Sequence, residues 1–260
     1  MILLGLLYLA SCSSVPMTGR KQIVAIPSSQ MIALSNESYS KVLEENQVSS
    51  NTYYVEQVKE VGARLTRAVE QYLHQNGLEA YVEGYNWQYT VLVSDQLNAW
   101  CMPGGQIAYY EGIMPVCRDD NGIAVVMGHE IAHAVAQHGN ERMSQQLLIQ
   151  LGGVALSEAL KTQKEETIDL ALIAFGVGSK LGVELPFSRT HESEADELGL
   201  YFMAMAGYDP RTAPEFWSRM EEQNSVEIPE FLSTHPSPSN RIENLNRLMP
   251  RAMEYYNPGR

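Results

Sequence analysis

The sequence predicts an α+β domain that is mostly helical and carries one small sheet. Apolar residues recur at three- and four-residue steps over most of the chain. Only two short segments, 87–93 and 106–110, read as strands, and both precede the long run of helical segments. Strands grouped together rather than alternating with helices mark α+β. At 260 residues, 45% hydrophobic and 19% charged, the chain has the material for one full core. A disordered, collagen-like or disulfide-framework protein is thereby excluded, since three cysteines are too few to staple a fold. Lys plus Arg is 18 against 31 Asp plus Glu, a formal charge of −13 that opposes nucleic-acid binding. No internal repeat or low-complexity linker divides the chain.

In chain order, Met1–Ser11 is uncharged and apolar, too short for the roughly 20 residues of a span but long enough for a signal-peptide core. It runs into Leu9-Ala10-Ser11-Cys12, which resembles the lipobox of bacterial lipoproteins. The resemblance implies a signal peptide at 1–11, lipidation at Cys12, a tether at 12–27 and a soluble domain at 28–260. It also implies a location at the periplasmic face of a bacterial envelope membrane, the outer one. A buried N-terminal helix is the alternative.

Thr52 to Asn76 places Val55, Val58, Val61, Leu65, Val69 and Tyr72 on one helical stripe, and Gly77 supplies a stop. Trp87 to Val93 alternates as a half-buried strand, and Gln106 to Tyr110 follows the loop Pro103-Gly104-Gly105 as a second. Asp119-Asp120-Asn121 can cap a helix from about Gly122 to His138, closed by Gly139. Further helices are expected near 141–160, 165–183, 191–206, 211–223 and 239–249. The apolar stretches Leu147–Leu160 and Ile168–Val183 are interrupted by polar residues, so they read as core helices rather than membrane spans.

His129-Glu130-Ile131-Ala132-His133 lies inside the capped helix. Histidines at i and i+4 share a face, so both imidazoles can reach one metal ion. Zinc lowers the pKa of a bound water to about 7, and Glu130 beside that face can accept its proton. A solvated helix face is the alternative, but Val125, Val126, Ile131, Ala134 and Val135 make this helix a core element. Buried polar residues on such a helix need a partner. A third ligand is required, and Ser188 to Asp196 supplies the candidates. Glu192 and Asp196 are four apart, so Glu192 can bind zinc while Asp196 orients a ligand histidine. His191 and Glu194 are rivals for that position.

Four ordered motifs together resemble the gluzincin peptidases that include HtpX, the type I CaaX prenyl endopeptidases and bacterial periplasmic lipoprotein peptidases. They are Asn98-Ala99-Trp100-Cys101-Met102-Pro103-Gly104-Gly105, the His129–His133 pentapeptide, Ser188-Arg189 with Glu192 and Ala195-Asp196, and Thr234-His235-Pro236-Ser237 with Arg241-Ile242. The resemblance covers roughly residues 85–250, and the lipoprotein branch fits it best. It implies a mostly helical zincin fold whose sheet presents an edge strand above the zinc. One Zn2+ would be held by His129, His133 and Glu192, with Glu130 as catalytic base. The implied activity is endoproteolysis of misfolded or unfolded envelope proteins.

The same resemblance makes the segment after the double glycine, Gly105, Gln106, Ile107 and Ala108, the edge strand to which substrate adds by main-chain pairing. It also moves His235 from a solvated loop to the zinc, as oxyanion donor or as a temporary fourth ligand. Arg241 is expected to anchor that loop through a carboxylate. His74 and His138 read as surface residues at helix ends, and Cys101 and Cys117 as either a disulfide or two buried thiols.

Overall fold

The computed structural model describes residues 12–180, 185–223, 230–235 and 240–258. Strands β1 (Cys12–Ser14) and β2 (Lys21–Ile23) form an antiparallel pair. Helices α1 (Ser28–Glu45) and α2 (Thr52–Gln75) follow, and Asn51 caps α2 by accepting from the Tyr54 amide. Of the predicted α2 stripe, Val58, Val61, Leu65 and Val69 are fully buried, Val55 and Tyr72 are only partly covered, and Leu73 is buried in addition.

A three-stranded sheet comes next: β3 (Gln88–Leu92), β4 (Ala99–Cys101) and β5 (Gln106–Tyr110), in the order β3-β5-β4. β5 runs parallel to β3 and antiparallel to β4. The short α3 (Met114–Cys117) leads to α4 (Asp120–Val135), whose start is fixed by Asp119 accepting from the Gly122 amide. Every residue of α4 from Gly122 to Val135 is buried. Then come α5 (His138–Leu160), α6 (Glu165–Ser179), α7 (Leu185–Met205), α8 (Ala213–Gln223), α9 (Glu230–Thr234) and α10 (Arg241–Tyr255).

The mostly helical α+β architecture is as expected, and α4 and α7 form its centre. They touch through glycine. A Cβ on Gly128 would lie 2.8 Å from the Gly199 carbonyl oxygen, and one on Gly199 would lie 2.7 Å from the His129 amide nitrogen. Only residues without side chains let two helix backbones approach this closely, and this contact sits at the level of His129.

Four expectations are corrected. The helix expected over 122–138 ends at Val135, because Gln137 adopts a left-handed conformation (φ +58°) and α5 restarts at His138. Residues 12–27 are not a free tether. Cys12 pairs with Ile23 in the β1–β2 hairpin, Val15 is in the core and Arg20 is ion-paired to Glu141 and Glu194. Residues 1–11 lie outside the described residues, as does the Cys12 side chain.

The apolar stretches on α5 and α6 are not core either. Leu148, Leu151, Val154, Leu170, Ile173 and Val177 are exposed, and no residue of α6 is buried. The two helices pack on each other, Phe175 against Gly152, while only the first turns of α5 reach the body of the domain. No described helix is long and apolar enough to cross a membrane. Finally, Gly105 to Ala108 do not form an edge strand. Gln106, Ile107 and Ala108 belong to β5, which is paired on both sides and buried from Gln106 to Tyr109. The edge beside α4 is β4.

Candidate metal centre

α4 presents His129 and His133 one turn apart, with their Nε2 atoms 3.1 Å from each other. α7 brings Glu192 to both: Oε2 is 3.3 Å from His129 Nε2 and Oε1 is 3.4 Å from His133 Nε2. His235, on the segment after α9, places Nδ1 3.2 Å from Glu192 Oε1 and Nε2 3.6 Å from Glu130 Oε1. The ligand atoms of His129, His133, Glu192 and His235 all lie within 4.8 Å of one another. Two imidazole nitrogens and a carboxylate, converging in a buried pocket, are a zinc donor set. Glu130 Oε1 is buried and has no hydrogen-bond partner among the described residues.

The surroundings fix these side chains. Asp196 Oδ1 lies 2.9 Å from His129 Nδ1, leaving Nε2 for the metal. Arg241, fully buried, donates from Nε to Asp196 at 2.7 Å and from Nη2 to Glu192 at 3.3 Å, and its guanidinium stacks 3.8 Å over Trp217. Its expected carboxylate anchor is thus a pair of site carboxylates.

Burial alone would raise the Glu192 and Asp196 carboxyls. The histidines outweigh it at Glu192, and Arg241 with His129 at Asp196, so both are held below the ordinary range as anions. Burial lowers His133 to about 3, against the pull of Glu192, and so keeps its imidazole neutral. At His129 the Asp196 and Glu192 contacts overcome burial and lift the ring to about 9. A carboxylate-backed imidazole is a more basic ligand. Glu130 is pushed up, chiefly by burial, partly offset by His235 and His129.

Of the rival third ligands, Glu194 and His191 point elsewhere. Glu194 bonds His138 Nε2 at 3.0 Å and Arg20 Nε at 2.7 Å, and His191 Nε2 lies 2.8 Å from Glu141 Oε2. His138 is therefore no surface residue. It is fully buried, stacks on His191 at 4.3 Å, and its Nδ1 lies 2.8 Å from Nδ1 of His133. Sequence reasoning missed this cluster; its only local sign was two more histidines close to the two metal motifs. Cys101 and Cys117 are free thiols. Pro236 and Ser237 lie outside the described residues.

A buried His-Glu-x-x-His helix, joined by a carboxylate from a second helix beside a small sheet, is the site architecture of the zinc metallopeptidase class. The chain belongs to peptidase family M48, whose family model matches residues 59–249. It is 34% identical over 251 residues to the mitochondrial metalloendopeptidase OMA1 of Bos taurus, covering 92% of this chain and 46% of that protein. The mitochondrial metalloendopeptidase OMA1 of Saccharomyces cerevisiae is 35% identical over 184 residues, 67% of this chain and 50% of that protein. The putative beta-barrel assembly-enhancing protease of Vibrio cholerae is 32% identical over 151 residues, 56% of this chain and 31% of that protein. The chain spans about half the length of the curated relatives it matches.

The expected family is thus borne out at the level of M48, while the periplasmic lipoprotein location is corrected. Relatives that align over nearly the whole chain are mitochondrial by name, and the bacterial assembly-enhancing proteases align over little more than half of it.

Proposed function

We propose that this chain is an endopeptidase that cleaves extended, unfolded polypeptide, with His129, His133 and Glu192 as zinc ligands and Glu130 as general base. One observation carries the reading: a buried Glu130 whose free carboxylate oxygen faces the histidine–glutamate cluster, where burial pushes its carboxyl above the ordinary value. Zinc held there supplies a Lewis acid for the scissile carbonyl and acidifies the attacking water. Glu130 takes the proton from that water and returns it to the leaving amine. Asp196 and Arg241 hold His129 and Glu192 in place through this cycle.

Substrate selection is assigned to β4. Residues Ala99–Cys101 form one edge of the sheet, β3 being the other, and the Cys101 backbone hydrogen-bonds the Glu130 carboxylate. An extended peptide added to that edge would lie along the catalytic helix, bound by main chain and with little sequence preference. This favours unfolded segments over folded ones.

His235 reaches both Glu192 and Glu130, so it occupies the mouth of the site and acts as a displaceable cover. The test is digestion of a denatured protein with and without a chelator, followed by zinc restoration. Cleavage abolished by the chelator and restored by zinc supports the reading. Cleavage indifferent to the chelator overturns it.

A further inference from the structure

The two histidine ligands are backed differently. His129 leans directly on a carboxylate, Asp196. His133 leans on another imidazole, since its Nδ1 is 2.8 Å from Nδ1 of His138, whose Nε2 is 3.0 Å from Glu194. We propose that His138 is a positioning residue for the zinc site, the first link of a relay His133–His138–Glu194–Arg20 that fixes the tautomer and orientation of His133. The proposal rests on the reading of His133 as a ligand and adds to it the residues that hold it.

The hydrogen-bond bookkeeping closes in only one sense. With the metal on Nε2, His133 carries its proton on Nδ1 and donates it to His138 Nδ1. His138 must then be protonated at Nε2, where Glu194 accepts. Glu194 also accepts from Thr18 Oγ1 and from Arg20 Nε. Arg20 also donates to both oxygens of Glu141, at 3.1 and 2.8 Å, and to the Lys21 carbonyl at 3.3 Å, and Glu141 in turn accepts from His191. Arg20 thus balances both buried carboxylates, which makes this cluster a support and not a second cation site.

The backbone is bent to build the relay. Residues five apart on a continuous helix are about 140° apart and do not face each other. The break after α4, with Gln137 in the left-handed region, folds the chain so that His138 comes back behind His133. A non-glycine residue held in that region costs of order 1 kcal/mol and persists where the surroundings over-determine it. Glu194 arrives from α7, two residues after Glu192, and Arg20 comes from the β1–β2 hairpin.

The test is zinc affinity, by competition with a chromophoric chelator, for His138→Ala, His138→Asn and His138→Gln. Asn places an acceptor near the position of Nδ1, whereas Gln reaches only towards that of Nε2. The relay predicts a 10–100-fold loss for Ala and Gln, with Asn staying within several-fold of wild type. Nitrogen NMR of the zinc form should show the Nδ1–H tautomer of His133 in wild type and the Asn variant. Equal losses for all three variants, or none, overturn the proposal. If the Ala variant does not fold, the Asn–Gln difference decides alone. His133→Ala separates the two levels: zinc affinity unchanged there would sink the site itself, whereas affinity lost there but kept in His138→Ala would sink only the relay.

Discussion

Gly199→Ala tests whether backbone contact between α4 and α7 sets the metal geometry. The added Cβ would sit 2.7 Å from the His129 nitrogen and 2.9 Å from both Gly128 C and His129 Cα. Ordinary contact begins near 3.4 Å, so the shortfall is about 0.7 Å. All three obstacles are backbone, and no side chain can swing away to relieve them. The helices must part. Glu192 lies seven residues before Gly199, two turns along the same face, so its carboxylate is drawn from His129 and His133. Metal–ligand distances tolerate about ±0.2 Å, well below that displacement.

Overpacking of this kind costs about 1–3 kcal/mol, which lowers the melting temperature of a domain this size by roughly 2–12 °C. Zinc affinity should fall by at least about tenfold, the low end for a disturbed ligand support. Thermal melting of the metal-free protein and chelator competition read the two effects separately. Wild-type values in both would show that the helices do not rest on this glycine contact.

Asp196→Ala should weaken zinc binding about 10–100-fold by chelator competition, because His129 loses its backing and Arg241 is left buried beside Glu192. His235→Ala should raise basal cleavage of an unstructured peptide if the imidazole covers the site. A fall of roughly 100-fold in kcat would instead assign it to the oxyanion. Ile173→Glu, on the exposed face of α6, should change stability by no more than about 0.5 kcal/mol in urea unfolding. A large loss there would mean that the α5–α6 hairpin is covered after all.

The convergence of His129, His133 and Glu192 was legible because its geometry is local. His129 and His133 share a helix face by spacing alone, and the four-residue step from Glu192 to Asp196 put both carboxylates on one face of α7. What escaped depended on irregular backbone or on distant partners. Gln137 breaks the helix without a glycine or proline to announce it, and Gly139, the expected stop, comes two residues too late. His138 was therefore expected at a surface helix end, although it lies buried behind His133.

The sheet order failed for a related reason. β4 is three residues long and hidden before the double glycine in a segment not marked as a strand, so the edge that the family resemblance implies was placed on the following segment, which is the central β5. The α5 and α6 stretches show the limit of hydropathy: an apolar run implies burial only if the rest of the fold reaches it.

The central claim is a division of labour in which Glu192 holds zinc and Glu130 moves the proton. It is tested most directly by measuring zinc content and cleavage of one denatured protein for wild type, Glu192→Ala and Glu130→Gln side by side. Glu192→Ala should lose both zinc and activity, whereas Glu130→Gln should keep about one zinc per chain and lose activity. A Glu130→Gln protein that still cleaves, or a Glu192→Ala protein that keeps its zinc, would contradict the account.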